Sequence, residues 1–208
     1  MIEQKLIVGR WIDVPLQVPV NNGPAVGGFQ PLNNVMLHIN ESTRMSAFGA
    51  KTSTVTTGHI AKNNRNYQWL EWLPGLVSEV SQFNVDVMTG PMTGCWITRY
   101  VRNGLQCVGH VGTYMEANHE HSIAARASWN AFAAAGGVIT GFNPQNGWVG
   151  PFPPAKTGDG AFKIFAVVTS AGDFWTIFTY ADVTGANRVR IAGTQEIQTA
   201  SLATLQAL

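Results

Sequence analysis

Charge is what this sequence has least of. Asp, Glu, Lys and Arg make up 12% of the 208 residues, about half the share of an ordinary soluble domain. Thirteen basic against 12 acidic residues leave a formal net charge of +1. With no basic excess there is no field to hold a phosphate backbone by counterion release, so nucleic acid is not an expected partner. Cysteine is almost absent: Cys95 and Cys107 are the 2 present, too few for a disulfide framework. Long apolar runs are missing too. The most hydrophobic stretch, Ile164 to Tyr180, is broken by Gly172 and Asp173, so no membrane span or membrane partner is expected. Met1-Ile2-Glu3-Gln4-Lys5 puts an acid where a secretory leader needs basic residues, and no apolar segment follows, so no signal peptide is expected. The chain reads as made in the cytoplasm, with any export left to a dedicated secretion machine.

What is present is a core and many turns. Hydrophobic residues are 45% of the chain, with 7 Trp and 10 Phe, alongside 22 Gly and 10 Pro. That supports one packed, β-rich domain over 1–208, monomeric by default. Residues 1–34 are loop-rich, broken by Asn21-Asn22-Gly23-Pro24 and Gly27-Gly28. Val35 to Ile39 is a strand candidate. Tyr67 to Val80 is interrupted by Pro74-Gly75 and reads as a strand, a turn and a short segment. Asn118 to Ala135 is the clearest helix, with Asn118 as a cap candidate, Ile123, Ala127, Asn130 or Ala131, and Ala134 at helical spacing, and Gly136-Gly137 as its stop. Gly141 to Gly160 is a long Pro/Gly/Asn loop. Phe162–Thr169 and Phe174–Tyr180 read as strands joined by a turn. Beyond Val183 large apolar residues thin out: 184–208 reads as a peripheral tail, with Val189-Arg190-Ile191 as an edge strand and Gln195 to Leu208 as a weak helix.

The chemistry sits in a hairpin. Asn103-Gly104 separates Trp96–Arg102 from Leu105–Val111, and Asn-Gly between β-branched and aromatic runs is the strongest short hairpin signal. With these two residues as the loop, paired positions sum to 207: His110 lies opposite Ile97, and Cys95 opposite Gly112. Alternate residues share a face, so Cys95, Ile97 and His110 point one way as diagonal neighbours. Cys107, opposite Tyr100, points the other way. A loop one residue longer would turn His110 to the wrong face. Cys95 follows Gly94, which lets a tight turn present backbone amides to a bound oxygen. An imidazole beside a thiol is the arrangement nucleophilic catalysis needs. The competing reading is a buried, inert cysteine beside a satisfied sheet histidine.

Thr89-x-x-Met92-Thr93-Gly94-Cys95 resembles the Thr-x-x-Leu-Ser/Thr-Gly-Cys motif of bacterial glutamine deamidases. That family includes the cytotoxic necrotizing factor group, the Burkholderia lethal factor type and, less closely, the chemoreceptor deamidase CheD. His110 is followed by Glu116-Ala117-Asn118 at the offset found in the lethal-factor type, and Trp69-Leu70-Glu71-Trp72 and Val35-Met36-Leu37-His38 resemble segments upstream of the motif. The likeness covers about residues 35–120 in pieces. Pro91 and Met92 depart from the expected residues, and the 15-residue interval from Cys95 to His110 is like that of the necrotizing factor group.

The resemblance implies an α+β fold with a two-sheet β-sandwich core and flanking helices, and a protein-glutamine deamidase forming a thioester. It gives Cys95 the role of nucleophile, His110 that of base, and Thr89 that of orienting the imidazole. Amides at Gly94 and Cys95 would hold the oxyanion, and no cofactor or metal is needed. It also implies a bacterial toxin or effector delivered into a host cell. The partner would be a protein substrate such as a translation-initiation RNA helicase or a Rho-family GTPase. A cysteine peptidase or acyltransferase with the same dyad, or a non-catalytic β-sandwich binding module, are the alternatives.

Other residues carry weaker signals. Gln106 shares the Cys95 face and is expected to line the cleft. His119-Glu120-His121 has a spacing that suits metal ligation on a strand better than on a helix, and reads as solvated. His38 and His59 read as structural. Glu116 reads as a helix-start residue. Gly158-Asp159-Gly160 lacks the Lys-Ser/Thr and helix of a phosphate loop. Trp96 and Trp148 read as packing.

Overall fold

In the computed structural model, which describes residues 2–15, 23–33, 35–40, 52–57, 67–82, 84–184 and 187–208, the Asn103-Gly104 turn sets the hairpin. Both residues take left-handed backbone, φ 52° and 75°, the twist that a two-residue turn between right-twisted strands demands. The strands are β1 (Trp11–Asp13), β2 (Phe29–Pro31), β3 (Val35–Asn40), β4 (Thr52–Thr57), β5 (Tyr67–Leu70), β6 (Val77–Ser81) and β7 (Asp86–Met92). They continue with β8 (Trp96–Arg102), β9 (Leu105–Val111), β10 (Ile139–Phe142), β11 (Asp159–Val168), β12 (Phe174–Asp182) and β13 (Arg188–Ile197). Two helices accompany them, α1 (Glu120–Ala134) and α2 (Leu202–Leu205). The class is mixed α+β, mostly strands in two sheets.

One sheet runs β10-β8-β9-β6-β2; the other runs β1-β13-β12-β11-β7-β5-β3-β4 and closes on itself through a parallel β1–β4 pair. The two sheets share a core of Leu70, Val87, Met92 and Ile164 from the closed sheet with Cys95, Ile97, Val108 and Phe142 from the five-stranded one and its flanks. A second cluster, with Leu37, Met88, Phe165, Val167 and Ile191, fills the other face of the closed sheet. Because both faces are covered there, Ile164–Val168 of β11 is an unbroken apolar run rather than an alternation. The third cluster lies where Ala125, Trp129 and Ala133 of α1 cover Tyr100, Cys107 and Val111 on the outer face of the five-stranded sheet.

The hairpin register holds along its whole length, from Trp96↔Val111 to Arg102↔Leu105, with Ile97 opposite His110 and Tyr100 opposite Cys107. Strand β3, the β5–turn–β6 pattern, and β11 and β12 form where the residues place them.

Three local readings are corrected. The tail is no periphery: β13 lies between β12 and β1 and carries buried Val189, Ile191 and Ile197. Its apolar residues are separated by small and polar ones, so no hydrophobic run announces it. Helix α1 is capped by His119, whose Nδ1 accepts from the His121 N–H at 3.2 Å, not by Asn118. Its buried stripe is His121, Ser122, Ala125, Trp129 and Ala133, and Ile123 faces outward. Alanines spread around the helix make several faces equally apolar, and the bulk of Trp129 decides between them.

No helix among the described residues is long and apolar enough to cross a membrane. His59 and Asn21-Asn22 lie outside the described residues, and His38 is described only as backbone of β3.

Candidate active site

Strands of both sheets meet at the imidazole. In β9, Val108 and His110 face the inter-sheet core while Cys107 faces the helix. In β7, Val87 and Thr89 share the same core and Met88 points the opposite way. Thr89 Oγ1 lies 2.8 Å from His110 Nδ1, a hydrogen bond joining the two sheets between fully buried groups. Beyond Thr89, β7 bulges: Thr89 pairs with Ala166 and Met92 with Ile164, so β7 spends one residue more than its partner. Bulges re-aim side chains; here the extra residue returns Met92 to the inter-sheet core, three positions after Thr89.

The chain then bends at Thr93-Gly94, where Gly94 has φ 81°, and enters β8 with Cys95. Asn143, buried at the end of β10, holds this bend from below. Its Nδ2 donates to the Gly94 carbonyl at 3.1 Å, and its Oδ1 accepts from the Gln145 and Asn146 amides at 3.1 and 2.9 Å.

Cys95 is 2% exposed and forms part of the wall of a cleft of about 290 Å³ between the sheets. Its Sγ–H donates to the Thr113 carbonyl at 3.3 Å, and Thr113 Oγ1 donates back to Sγ at 3.6 Å. Thr113 is fixed because Gly112 packs directly on the 73–76 turn. The Gly112 N–H donates to Leu76 O at 2.9 Å and Gly112 O accepts from Gly75 N at 2.9 Å. A Cβ on Gly112 would lie 1.9 Å from the Leu73 carbonyl oxygen, so a side chain there is excluded. Trp72, next to that turn, lines the cleft together with Cys95. Its Nε1 is buried without a hydrogen-bond partner, and its N–H favours a charged Cys95 Sγ.

No hydrogen bond joins Cys95 to His110 among the described residues; Nε2 of His110 is buried and unpartnered. An orphaned buried N–H is rarer than an orphaned acceptor, so the tautomer is assigned with the proton on Nδ1, donated to Thr89 Oγ1, leaving Nε2 a lone pair. Burial lowers the imidazole to about 3. Burial also raises the Cys95 thiol, with the Thr113 bonds and the Trp72 N–H pulling the opposite way. The resting pair is therefore a neutral thiol and a neutral imidazole, both shielded from solvent.

Of the residues singled out in the sequence, the structure brings Thr89 to His110 and puts Cys95 at the cleft. Gln106 does not line it: it lies opposite Val101 at the far end of the hairpin, its Nε2 donating to Tyr100 O at 2.9 Å. His121 is buried rather than solvated, its Nε2 set 3.1 Å from Gly23 O. Among the described residues, no group of 3 or more His, Cys, Asp or Glu could hold a metal. Glu116 is exposed, and its backbone carbonyl accepts from His119 N at 3.1 Å. Trp96 and Trp148 pack against the outer and inter-sheet cores.

Three residues escaped the sequence reading. Thr113 continues the hairpin register past β9, which was signal enough to find it. Asn143 and the indole of Trp72 come from distant segments that only the folded chain brings close. Comparisons with protein-family models, with curated proteins and with solved structures find no match.

Proposed function

We propose that the protein is a cysteine-dependent glutamine deamidase acting on protein substrates, of the kind the Thr89-to-Cys95 motif resembles. The observation that carries this reading is the 2.8 Å Thr89–His110 hydrogen bond. It fixes a neutral imidazole on the face of the sheet where Cys95 meets a cleft, which is the orienting role of the third member of a catalytic triad.

A glutamine side chain enters the cleft, whose volume is at the low end for a small-ligand pocket and suits one side chain better than a row of peptide subsites. Cys95 Sγ leaves the Thr113 carbonyl and attacks the carboxamide carbon, and its proton passes to His110 Nε2. The oxyanion is held by the amides at Gly94 and Cys95, aided by the Trp72 Nε1–H. The imidazolium gives its proton to the departing nitrogen, ammonia leaves, and a thioester remains. Water, deprotonated by Nε2, hydrolyses the thioester to glutamate and restores the thiol. Starting from neutral partners, the site creates charge only as the reaction proceeds, so no buried ion pair has to be maintained at rest. A charge-poor protein can do this because the groups required are one thiol, one imidazole and hydrogen-bond donors.

The bacterial effector role follows the same resemblance, with a host protein as substrate. A cysteine peptidase would use the same groups on a backbone carbonyl. The test is incubation with a host-cell lysate, ammonia assay and peptide mapping by mass spectrometry. Ammonia release with conversion of particular glutamines to glutamates, lost in Cys95→Ala, is expected; cleaved backbones would replace this reading with the peptidase.

A further inference from the structure

The bend that delivers Cys95 also leaves an edge of the closed sheet open. β11 pairs with β12 at Asp159 and, past an irregularity at Gly160-Ala161, from Phe162 to Val168, but with β7 only from Ile164 to Val168. Past Met92, β7 turns away toward Cys95, so residues 160–163 of β11 have no strand on that side among the described residues. This edge borders the cleft: Phe162 and Lys163 line it together with Cys95. Phe162 is 49% exposed and lies stacked on Phe178, with ring centroids 5.7 Å apart, giving the edge an apolar platform. Among the described residues, Lys163 is the one charged residue lining the cleft. Its ammonium makes no hydrogen bond or ion pair with a described residue.

An open strand edge offers alternate N–H and C=O groups to an extended chain. We infer that the glutamine-bearing segment of the substrate pairs as an added strand along residues 160–163 of β11, with an acidic side chain beside the glutamine set against Lys163. The inference rests on the deamidase reading of the cleft. The backbone edge supplies register, which places the glutamine side chain over Cys95, and Lys163 supplies sequence preference. A lysine on an edge also discourages pairing between copies of a chain, a role that predicts no preference for acidic peptides.

The probe is a fluorescein-labelled hexapeptide, Thr-Val-Gln-Glu-Val-Thr, its Glu-to-Lys counterpart, and two versions N-methylated on alternate sets of backbone amides. Binding is measured by anisotropy on Cys95→Ala, so that turnover does not interfere. One methylation set is expected to weaken binding about tenfold and the other to leave it within about twofold, since a paired strand turns only alternate amides to its partner. The lysine peptide is expected to bind about tenfold less tightly than the glutamate peptide, with the order reversed on Lys163→Glu. Equal effects of both methylation sets, a charge preference unmoved by Lys163→Glu, or no binding at millimolar peptide overturns the inference. Ammonia release from the same peptides by the unmodified protein separates the two readings. Patterned binding without ammonia release would overturn deamidation and keep the docking mode. Release indifferent to methylation and charge would do the reverse.

Discussion

The two faces of the five-stranded sheet use similar residues for opposite ends. Each holds one cysteine from the same hairpin, and the two are almost equally buried, Cys95 at 2% and Cys107 at 4% exposure. Burial raises both thiols above their usual range. On the outer face the polar groups around Cys107 are satisfied, and, among the described residues, the unpartnered buried atom on that side, His121 Nδ1, sits at the start of α1. Cys107 donates to Leu105 O at 3.6 Å, and Glu79 accepts from Tyr100 Oη at 2.7 Å and from Arg102 Nε at 2.9 Å. Helix α1 seals the Tyr100 and Cys107 side of the sheet, with Tyr100 ringed by Phe29, Trp129 and Phe132 at 5.1–6.0 Å. On the inner face the accounting is left open: among the described residues His110 Nε2 and Trp72 Nε1 have no hydrogen-bond partner, and Cys95 borders a cleft rather than a packed helix. Unsatisfied buried groups cost stability. Burial alone does not separate the two cysteines; what sets Cys95 apart is the unfilled hydrogen-bonding capacity around it among the described residues.

That contrast can be broken at several points. The largest effect is expected for Cys95→Ala, which should lower ammonia release by about 10⁴-fold or more, while Cys107→Ala leaves the rate within about twofold. A large loss in Cys107→Ala would erase the distinction between the faces. Thr89→Val should cost about 10- to 100-fold in kcat with little change in KM, through loss of imidazole orientation, and Thr89→Ser should recover most of it. A KM effect alone would make Thr89 a packing residue.

The outer face should answer in stability instead. Glu79→Ala strips Tyr100 and Arg102 of their shared acceptor and is expected to lower unfolding free energy by about 2–4 kcal/mol in urea titrations. The rate at Cys95 should stay within about twofold.

The smallest effect is a pH dependence. An unfolded histidine takes its proton near its ordinary 6.5, the folded His110 only near 3. Between these values the unfolded state binds more protons, so stability falls as pH drops below 6.5, by up to about 1.4 kcal/mol per pH unit. His110→Asn should lack this slope, read from urea midpoints before the carboxylates titrate. The same depression predicts that kcat/KM has no acid limb near pH 6.5; one there would mean that the imidazole is solvated.

Much of this site was legible in the sequence because one turn fixes it. Taken as a two-residue turn, Asn103-Gly104 sets the register that places Cys95, Ile97 and His110 on one face and Cys107 on the other. Thr89 could be assigned to the imidazole only through the resemblance of its segment to a deamidase motif, since β7 belongs to the other sheet. Asn143 and Trp72 were illegible as site residues, because their roles exist only across the contact between sheets. The closure of the long sheet by β13 was hidden for a different reason. Ala192, Gly193, Thr194 and Gln195 look like a tail, but Gly193 gives room to Trp148, whose ring lies 2.8 Å from where a Cβ would sit. The metal-like His119-Glu120-His121 run became a helix cap and a buried ring, local roles that the trio alone does not reveal.

The central claim, that the inner cysteine is the reactive one despite a raised thiol, is tested most directly with a peptide carrying a glutamine-shaped diazoketone, followed by mass-spectrometric mapping of the modified residue. Such a probe takes its proton and its positioning from the site rather than from a free thiolate. The account predicts that Cys95 alone is alkylated, that His110→Asn and Thr89→Val slow the reaction, and that iodoacetamide reacts with either cysteine more slowly than with a free thiol. Equal labelling of Cys95 and Cys107, or labelling of Cys95 that is indifferent to His110, would contradict it.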